Sequence, residues 1–233
     1  MVLLANFTRI GLLAAGLLVG GGRTTFAQAF DLQAGLDPLI GTLDVSAQPI
    51  FSQGEVSGCQ FVFDALVRDW EAPEERMLKV SGSTGLMGAP NNVVAGFVKI
   101  IVREWELSSP EPELVPSAPQ RVYLVGSDFS TNFKTLISTS PTDVEGGLFA
   151  MFRFSPTFNL ILDAMARKTL SLSFNRRGGA IDRQLDVKLD VVSTDQQGLR
   201  TRSDDATKQF AGCAAKLLRS SNGAAQVSPT PPR

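Results

Sequence analysis

The chain has 233 residues, 22 Lys and Arg against 23 Asp and Glu, a formal net charge of −1 and no histidine. The missing histidine excludes Ser-His-Asp and Cys-His catalysis, HExxH zinc sites and histidine-based pH switches within this chain. A composition of 43% hydrophobic and 19% charged residues is typical of a globular protein and too apolar for a disordered one.

The first 29 residues have the three-part organisation of a secretory signal peptide. Arg9 precedes an apolar run over residues 10–19, and a small-residue Ala-x-Ala site follows at residues 27–29. We expect cleavage after Ala29, at a site that suits a bacterial exporter, and hence a periplasmic or secreted protein. The alternative is an uncleaved membrane anchor, which needs about 20 apolar residues and is therefore longer than this run.

Cleavage would remove Arg9 and Arg23 but no acid, so the remaining chain is mildly acidic. Binding to nucleic acid or to a membrane surface normally needs a basic patch, and the sequence contains no basic run. We therefore expect no nucleic-acid partner and no stable membrane insertion after signal cleavage. The remaining length suits a single globular domain over residues 30–219.

Hydrophobic alternation predicts mostly β-structure in the first half of this domain. Residues 59–67 place apolar side chains at odd positions, which indicates a strand with one buried face. Residues 77–81 predict a short strand that leads into a Gly-rich loop over 82–88. Residues 97–107 are apolar on both faces and predict a central strand. Four prolines within 108–120 predict an extended surface connection.

A helix and a hairpin are predicted in the second half, after further strands over 121–125 and 147–154. Ser155-Pro156 indicates a helix start, with an apolar stripe of Phe158, Ile161, Leu162 and Met165 over about 156–167. Two alternating segments then predict a hairpin, with inward residues Leu170, Leu172, Phe174, Leu185, Val187, Leu189 and Val191. Its other face, which includes Ser171 and Ser173, should lie in water.

A terminal helix is predicted over about 203–218, capped by Ser203 and buried along Ala206, Phe210, Cys213 and Leu217. From residue 220 to 233 the composition is Ser, Gly, Pro and Ala, which predicts a disordered tail. Together these elements predict an α+β fold with a predominantly antiparallel β-sheet and the two helices packed on it.

The two cysteines predict a disulfide between Cys59 and Cys213. Export favours disulfides, the number of cysteines is even, and each residue lies on a predicted buried face. A redox-active thiol would favour a CxxC pair or an exposed electropositive site, and the sequence has neither. Two cysteines without histidine also form a poor zinc site, so we expect no metal and no cofactor.

The carboxylates do not predict a catalytic or metal site. On one strand face, Asp182, Asp186 and Asp190 are about 13 Å apart per step of four residues, so they cannot share a metal or a glycosidic bond. We interpret them as a solvated face. A glycosidase or cation hypothesis would otherwise start from these acids and from Asp64, Asp69 and Asp143 elsewhere in the chain.

Other candidate residues are also better explained by structure. The segment from Ser130 to Lys134 lacks the SxxK spacing of a Ser-Lys dyad. Arg176 and Arg177 form the predicted hairpin tip, where they could bind an anion. Trp70 and Trp105 could be exposed sugar-binding aromatics, although packing is the commoner use.

The sequence therefore predicts a non-enzymatic exported module that binds a protein or cell-envelope partner through its sheet edges or loops. One alternative is a small-molecule binding protein with a pocket between helix 156–167 and the sheet. The other is a histidine-free hydrolase, which needs two carboxylates about 5–10 Å apart in a cleft.

Overall fold

The computed structural model describes residues 35–69, 76–88, 94–106, 113–131, 134–175, 179 and 181–224. They belong to one compact unit, Leu32–Arg233. The described residues form two helices, α1 (Phe154–Arg167) and α2 (Asp205–Ala224), a 3₁₀ turn at Asp37–Leu39, and twelve strands. The strands are β1 (Gly41–Ser52), β2 (Glu55–Asp69), β3 (Arg76–Gly88), β4 (Val94–Glu106), β5 (Glu113–Pro116), β6 (Val122–Val125), β7 (Leu136–Pro141), β8 (Gly147–Arg153), β9 (Thr169–Asn175), β10 (Asp182–Lys188), β11 (Val191–Thr194) and β12 (Arg200–Arg202).

Seven of these strands form the main sheet. Six follow the order β1-β2-β3-β4-β8-β7, and β5 pairs with β4 outside this order. β4 pairs with β3 along one side and shares its other side between β8 and the short β5. β6, β9 and β10 form a second, three-stranded sheet, and β11 pairs with β12. All these pairings are antiparallel and two helices accompany them, which confirms the predicted α+β class.

β3 corrects the Gly-rich loop predicted over residues 82–88, because the strand continues through this segment to Gly88. The glycines are needed for close packing and not for a turn. A Cβ at Gly82 would lie only 2.5 Å from Cζ of Phe63 and 2.9 Å from the carbonyl oxygen of Lys99. Since glycine has no side chain, the strand lacks the alternation that would reveal it in the sequence.

The proline-rich segment is also more regular than the surface connection that we predicted. Its residues 113–116 form β5, which pairs with β4 from Arg103 to Glu106. Pro116 is tolerated in β5 because β5 is a short edge strand. Residues 107–112, which include the first two prolines, lie outside the described residues.

The predicted hairpin is formed by β9 and β10, with Leu172 opposite Leu185 and Leu170 opposite Val187. β10 ends at Lys188, however, and a turn separates it from Val191, which begins β11. The serines that we expected in water are buried. Their hydroxyls remain satisfied, since Ser171 donates to Oδ1 of Asp186 (2.6 Å) and Ser173 donates to the carbonyl of Arg183 (3.1 Å).

Helix α1 begins at Phe154, one residue before the predicted capping serine. Pro156 therefore occupies the third helical position, where its missing N–H still removes no intrahelical bond. The buried face also differs from the predicted stripe: it consists of Thr157, Leu160, Ile161 and Ala164, whereas Leu162 is exposed. The helix rotates in this way because Thr157 packs directly above Gly96 of β4.

Helix α2 buries Ala206, Phe210 and Leu217 as predicted, together with Ala214, whereas Cys213 is half-buried. The amide of Asp205 donates to the hydroxyl of Ser203 (3.2 Å). The helix extends to Ala224, beyond the predicted end at about residue 218 and into the segment predicted as a disordered tail. Residues 225–233 of that segment lie outside the described residues. Cys59 and Cys213 form the predicted disulfide, with their Cα atoms 5.9 Å apart. Beside it, the rings of Phe61 and Phe210 stack at 4.3 Å. The disulfide indicates a non-reducing, extracytoplasmic environment.

The first residues of β1, at one edge of the main sheet, are covered by the C-terminal half of the chain. Arg200 donates from Nη2 to the carbonyl of Ile40 (2.6 Å) and from Nε to the carbonyl of Thr42 (3.1 Å). The hydroxyl of Thr194 donates to the carbonyl of Leu43 (2.7 Å). These bonds satisfy backbone acceptors that an edge strand otherwise leaves open.

A buried ion pair connects the two sheets. Asp69 ends β2, its side chain is completely buried, and its Oδ1 lies 3.0 Å from Nε of Arg183 in β10. A charge in such a position is stable only with its partner, so the pair holds β10 in place against the end of β2. Neither of the described helices is long and apolar enough to cross a membrane.

Candidate functional site

A cleft of about 340 Å³ opens between β6 of the small sheet and the β7–β8 side of the main sheet. We call it the β6–β7 cleft. Its volume lies at the lower end of the range typical for small-ligand sites. The residues that line it are Gln120, Arg121, Val122, Tyr123, Ser130, Thr131, Leu136, Thr139, Phe152 and Asp182.

The β6 side of the cleft is held by buried polar side chains. Asn175, which is fully buried, accepts from the amides of Gln120 and Arg121 with its Oδ1, both at 2.9 Å. Thr131 is also fully buried, and its hydroxyl accepts from the amide of Leu124 (2.8 Å). The amide of Thr131 in turn donates to the carbonyl of Leu124 (2.9 Å). These bonds fix the backbone on both sides of β6, so this wall is formed before any ligand arrives.

Asp182 is the centre of the polar wall. Its Oδ1 accepts from Nε of Arg121 (2.7 Å), and its Oδ2 accepts from the hydroxyl of Tyr123 (2.7 Å). The three side chains come together because β9 pairs with both neighbours: Asn175 of β9 lies opposite Asp182, and Ser173 lies opposite Tyr123. Both carboxylate oxygens therefore have partners, and the guanidinium balances the negative charge.

Tyr123, the single tyrosine of the chain, keeps its proton at neutral pH. Burial raises its pKa above the ordinary value, and the hydrogen bond and negative charge of Asp182 raise it further. A hydrogen bond with Ser173 and the positive charge of Arg121 act in the opposite direction without reversing the shift of the pKa. The protonated phenol thus acts as a hydrogen-bond donor to Asp182.

The opposite part of the cleft is apolar and carries hydroxyl groups. Val122, Leu136 and Phe152 supply apolar surface, and Ser130 and Thr139 supply hydroxyls. Such a lining can hold a group that is partly apolar and partly able to form hydrogen bonds. It is less suited to a lone charge, because the two charged side chains of the wall already neutralise each other.

The β6–β7 cleft lies apart from the small-molecule pocket that the sequence predicted, and that pocket stays a prediction. We expected a small-molecule pocket between helix 156–167 and the sheet, but no residue of α1 lines the described cleft. The close contact of Thr157 with Gly96 leaves no such space along that part of the helix. Of the Ser130–Lys134 segment, Ser130 does line the cleft, whereas Lys134 is exposed and is not among the lining residues.

The strand-face carboxylates have separate partners. Asp186 accepts from Ser171, and Asp190 accepts two bonds from Nη1 of Arg202 (2.8 and 2.9 Å). Asp182 was named from the sequence but interpreted as solvated. Its partners are 59 and 61 residues away in the chain, and no local pattern connects them.

The remaining carboxylates and candidates are also placed by the structure. Asp64 accepts a short hydrogen bond from Ser81, and Asp143 lies 3.7 Å from Nζ of Lys99 on the surface. No group of three or more possible metal-ligating residues occurs within the described ranges. Trp105 is half-buried. Trp70, Arg176 and Arg177 lie outside the described residues.

Comparison of the chain with protein-family models, with curated proteins and with solved structures gives no significant match.

Proposed function

We propose that this protein is an exported, non-enzymatic binding module whose ligand occupies the β6–β7 cleft. The observation that carries the proposal is the cleft itself, with a preformed polar wall around Asp182 on one side and the apolar surface of Val122, Leu136 and Phe152 on the other. Concave sites of this kind, with a few fixed polar groups on an apolar lining, are typical binding sites.

The chemistry of the polar wall supports binding over catalysis. General acid or base catalysis needs a group that can exchange a proton near neutral pH. The raised pKa of Tyr123 keeps the phenol protonated, and Asp182 uses both oxygens to hold its neighbours. These groups are therefore better suited to orient a ligand than to transform it.

The ligand group should be small, uncharged and of mixed polarity. An apolar part would contact Leu136 and Phe152, and an amide or hydroxyl would bond to the wall around Tyr123. The predicted signal peptide and the disulfide support a periplasmic or secreted location for this activity.

The test uses two matched substitutions on β7. Thr139 lines the cleft and its neighbour Ser138 does not; both are exposed, and adjacent strand residues point to opposite faces. Thr139→Trp should fill the cleft, and Ser138→Trp should leave it open. The probes are phenol, benzamide and N-acetylleucinamide. Their binding is followed through the amide NMR signals of Tyr123, Thr131 and Thr139.

We expect saturable shifts of these signals in the unmodified protein and in Ser138→Trp, and binding at least about tenfold weaker in Thr139→Trp. If none of the three probes shifts the cleft signals, the cleft is not a binding site. Equal binding to both variants would also overturn the proposal, because the probes would then be bound elsewhere.

A further inference from the structure

β7 is an outer strand of the main sheet, and it has few of the features that usually protect such an edge. It is the last strand in the sheet order, and residues 137–141 are all exposed. Its sequence, Leu-Ile-Ser-Thr-Ser-Pro, contains no charged residue. The outward N–H and C=O groups of an exposed edge strand can pair with another strand, and charged side chains normally prevent this pairing.

The other outer strand, β1, has part of its edge covered. Arg200 and Thr194 bond to its first backbone carbonyls and so cover that part of its edge. Within the described part of the chain, no comparable side-chain bond is made to the backbone of β7. Among the described residues, the backbone of β7 is therefore more open than the first residues of β1.

The open edge is continuous with the β6–β7 cleft. Leu136 and Thr139 belong to β7 and also line the cleft. Three large apolar side chains next in sequence to lining residues are exposed: Phe129 (46%), Ile137 (54%) and Ile181 (58%). Each of these side chains is thus attached one residue away from the cleft lining.

We propose that the occupant is an extended, uncharged peptide segment of another protein, which adds to the edge of β7 and inserts an apolar side chain into the cleft. This inference rests on the proposed function of the cleft. The unpaired backbone selects a strand-forming peptide, since main-chain bonds supply affinity and a neighbouring pocket supplies specificity in this mode of recognition. The uncharged β7 and the balanced pair of Arg121 and Asp182 match a segment without net charge.

The geometry of β7 limits the length of this contact. The register shifts between Leu136 and Ser138, and Pro141 has no N–H to donate. Regular pairing is thus confined to Ser138, Thr139 and Ser140, and a peptide of about six residues covers both the ladder and the cleft.

The experiment uses the blocked hexapeptide Ac-Ser-Val-Thr-Phe-Thr-Val-NH₂ and two N-methylated forms of it. One form is methylated at the first, third and fifth residues and the other at the second, fourth and sixth. Successive N–H groups of a strand point to opposite edges, so only one form should lose the bonds to β7. Binding is measured by the amide NMR signals of β7 and the cleft, with Thr139→Trp as the protein variant and phenol as the small probe.

We expect one methylated form to bind at least about tenfold more weakly than the parent peptide and the other to bind nearly as well. Thr139→Trp should weaken binding of both the parent peptide and phenol. If phenol occupies the cleft but the parent peptide fails to bind, or its two methylated forms bind equally well, the β7 inference is wrong while the proposed function stands. If neither phenol nor the peptide binds, both fail. A dimer in sedimentation that the peptide dissociates would also overturn the inference, because a second copy would then be the occupant of the edge.

Discussion

At the scale of single residues, the role of each carboxylate depends on its neighbours and not on its place in the strand pattern. Asp182 and Asp186 are both in β10, on the same strand face, yet only Asp182 meets the guanidinium of Arg121 and the phenol of Tyr123. Asp69 is completely buried because Arg183 lies beside it. Alternation indicates which face a residue occupies, but the partner that arrives from a distant strand decides its chemistry.

Asp44 provides a prediction at this scale. It lies directly opposite Asp64 across β1 and β2. Burial and then the charge of Asp64 raise the pKa of Asp44 above 3.8, and Lys79 partly opposes the shift. The folded state therefore disfavours the charged form, and this cost appears as the pH rises from 3.8 through the raised pKa.

Asp44→Asn removes this cost, so it should stabilise the protein at neutral pH by about 0.5 kcal/mol. The gain should vanish well below pH 3.8, where Asp44 is protonated in both the folded and the unfolded state. Urea unfolding of Asp44→Asn and of the parent protein, at neutral pH and well below pH 3.8, measures this gain in unfolding free energy. High salt should reduce the gain without removing it, because burial is the larger cause. A variant that is less stable at neutral pH would contradict this account.

The candidate site was less predictable from the sequence than the fold. The sequence identified Asp182 as one member of a strand face, and it named Ser130 only to reject a Ser-Lys dyad. Arg121, Tyr123 and Asn175 had no signal of their own, because their roles depend on pairing between β6, β9 and β10. A conserved buried asparagine or a covarying Arg-Asp pair is the kind of signal that could reveal such residues.

At the scale of elements, two glycines should respond to alanine in opposite ways. A Cβ at Gly96 would collide with the side chain of Thr157, which holds α1 close to β4. A Cβ at Gly212 in α2 would meet no atom within 4 Å.

Gly96→Ala should therefore destabilise the fold by about 1–3 kcal/mol through overpacking. Gly212→Ala should stabilise it by about 0.5–1 kcal/mol, since alanine favours the helix. Thermal unfolding of the two variants and the parent protein measures both effects, and each variant is the control for the other. Equal effects from both substitutions would show that the Thr157 contact does not set the position of α1.

Most elements with a clean side-chain period were predicted from the sequence. β9 and β10 alternate strictly, and the buried residues of α2 repeat at helical spacing. β1 is the exception: Leu43, Val45 and Ala47 alternate with polar residues, yet no strand was predicted there. The rotation of α1 depends on which helix face can approach Gly96, and this is a property of the packed sheet and not of the helix sequence.

At the scale of the whole molecule, the disulfide joins β2 to α2 across 154 residues of sequence. The double variant Cys59→Ala/Cys213→Ala should lose about 2–5 kcal/mol of unfolding free energy, because the unfolded chain regains the freedom that the crosslink removes. Urea unfolding measures the loss. Added reductant should lower the unfolding free energy of the parent protein and leave that of the double variant unchanged. An unchanged free energy of unfolding would show that the stacked pair of Phe61 and Phe210 holds α2 without the crosslink.

The unequal edges of the main sheet also limit how copies of this protein can aggregate. A growing fibre needs two complementary surfaces on every copy, one to receive the previous copy and one to offer to the next. Arg200 and Thr194 already occupy the first carbonyls of β1, so β7 of one copy cannot pair with that stretch of the next. Pairing through β7 alone ends at two copies. The molecule thus keeps one strand available for recognition while head-to-tail polymerisation along the sheet is blocked there.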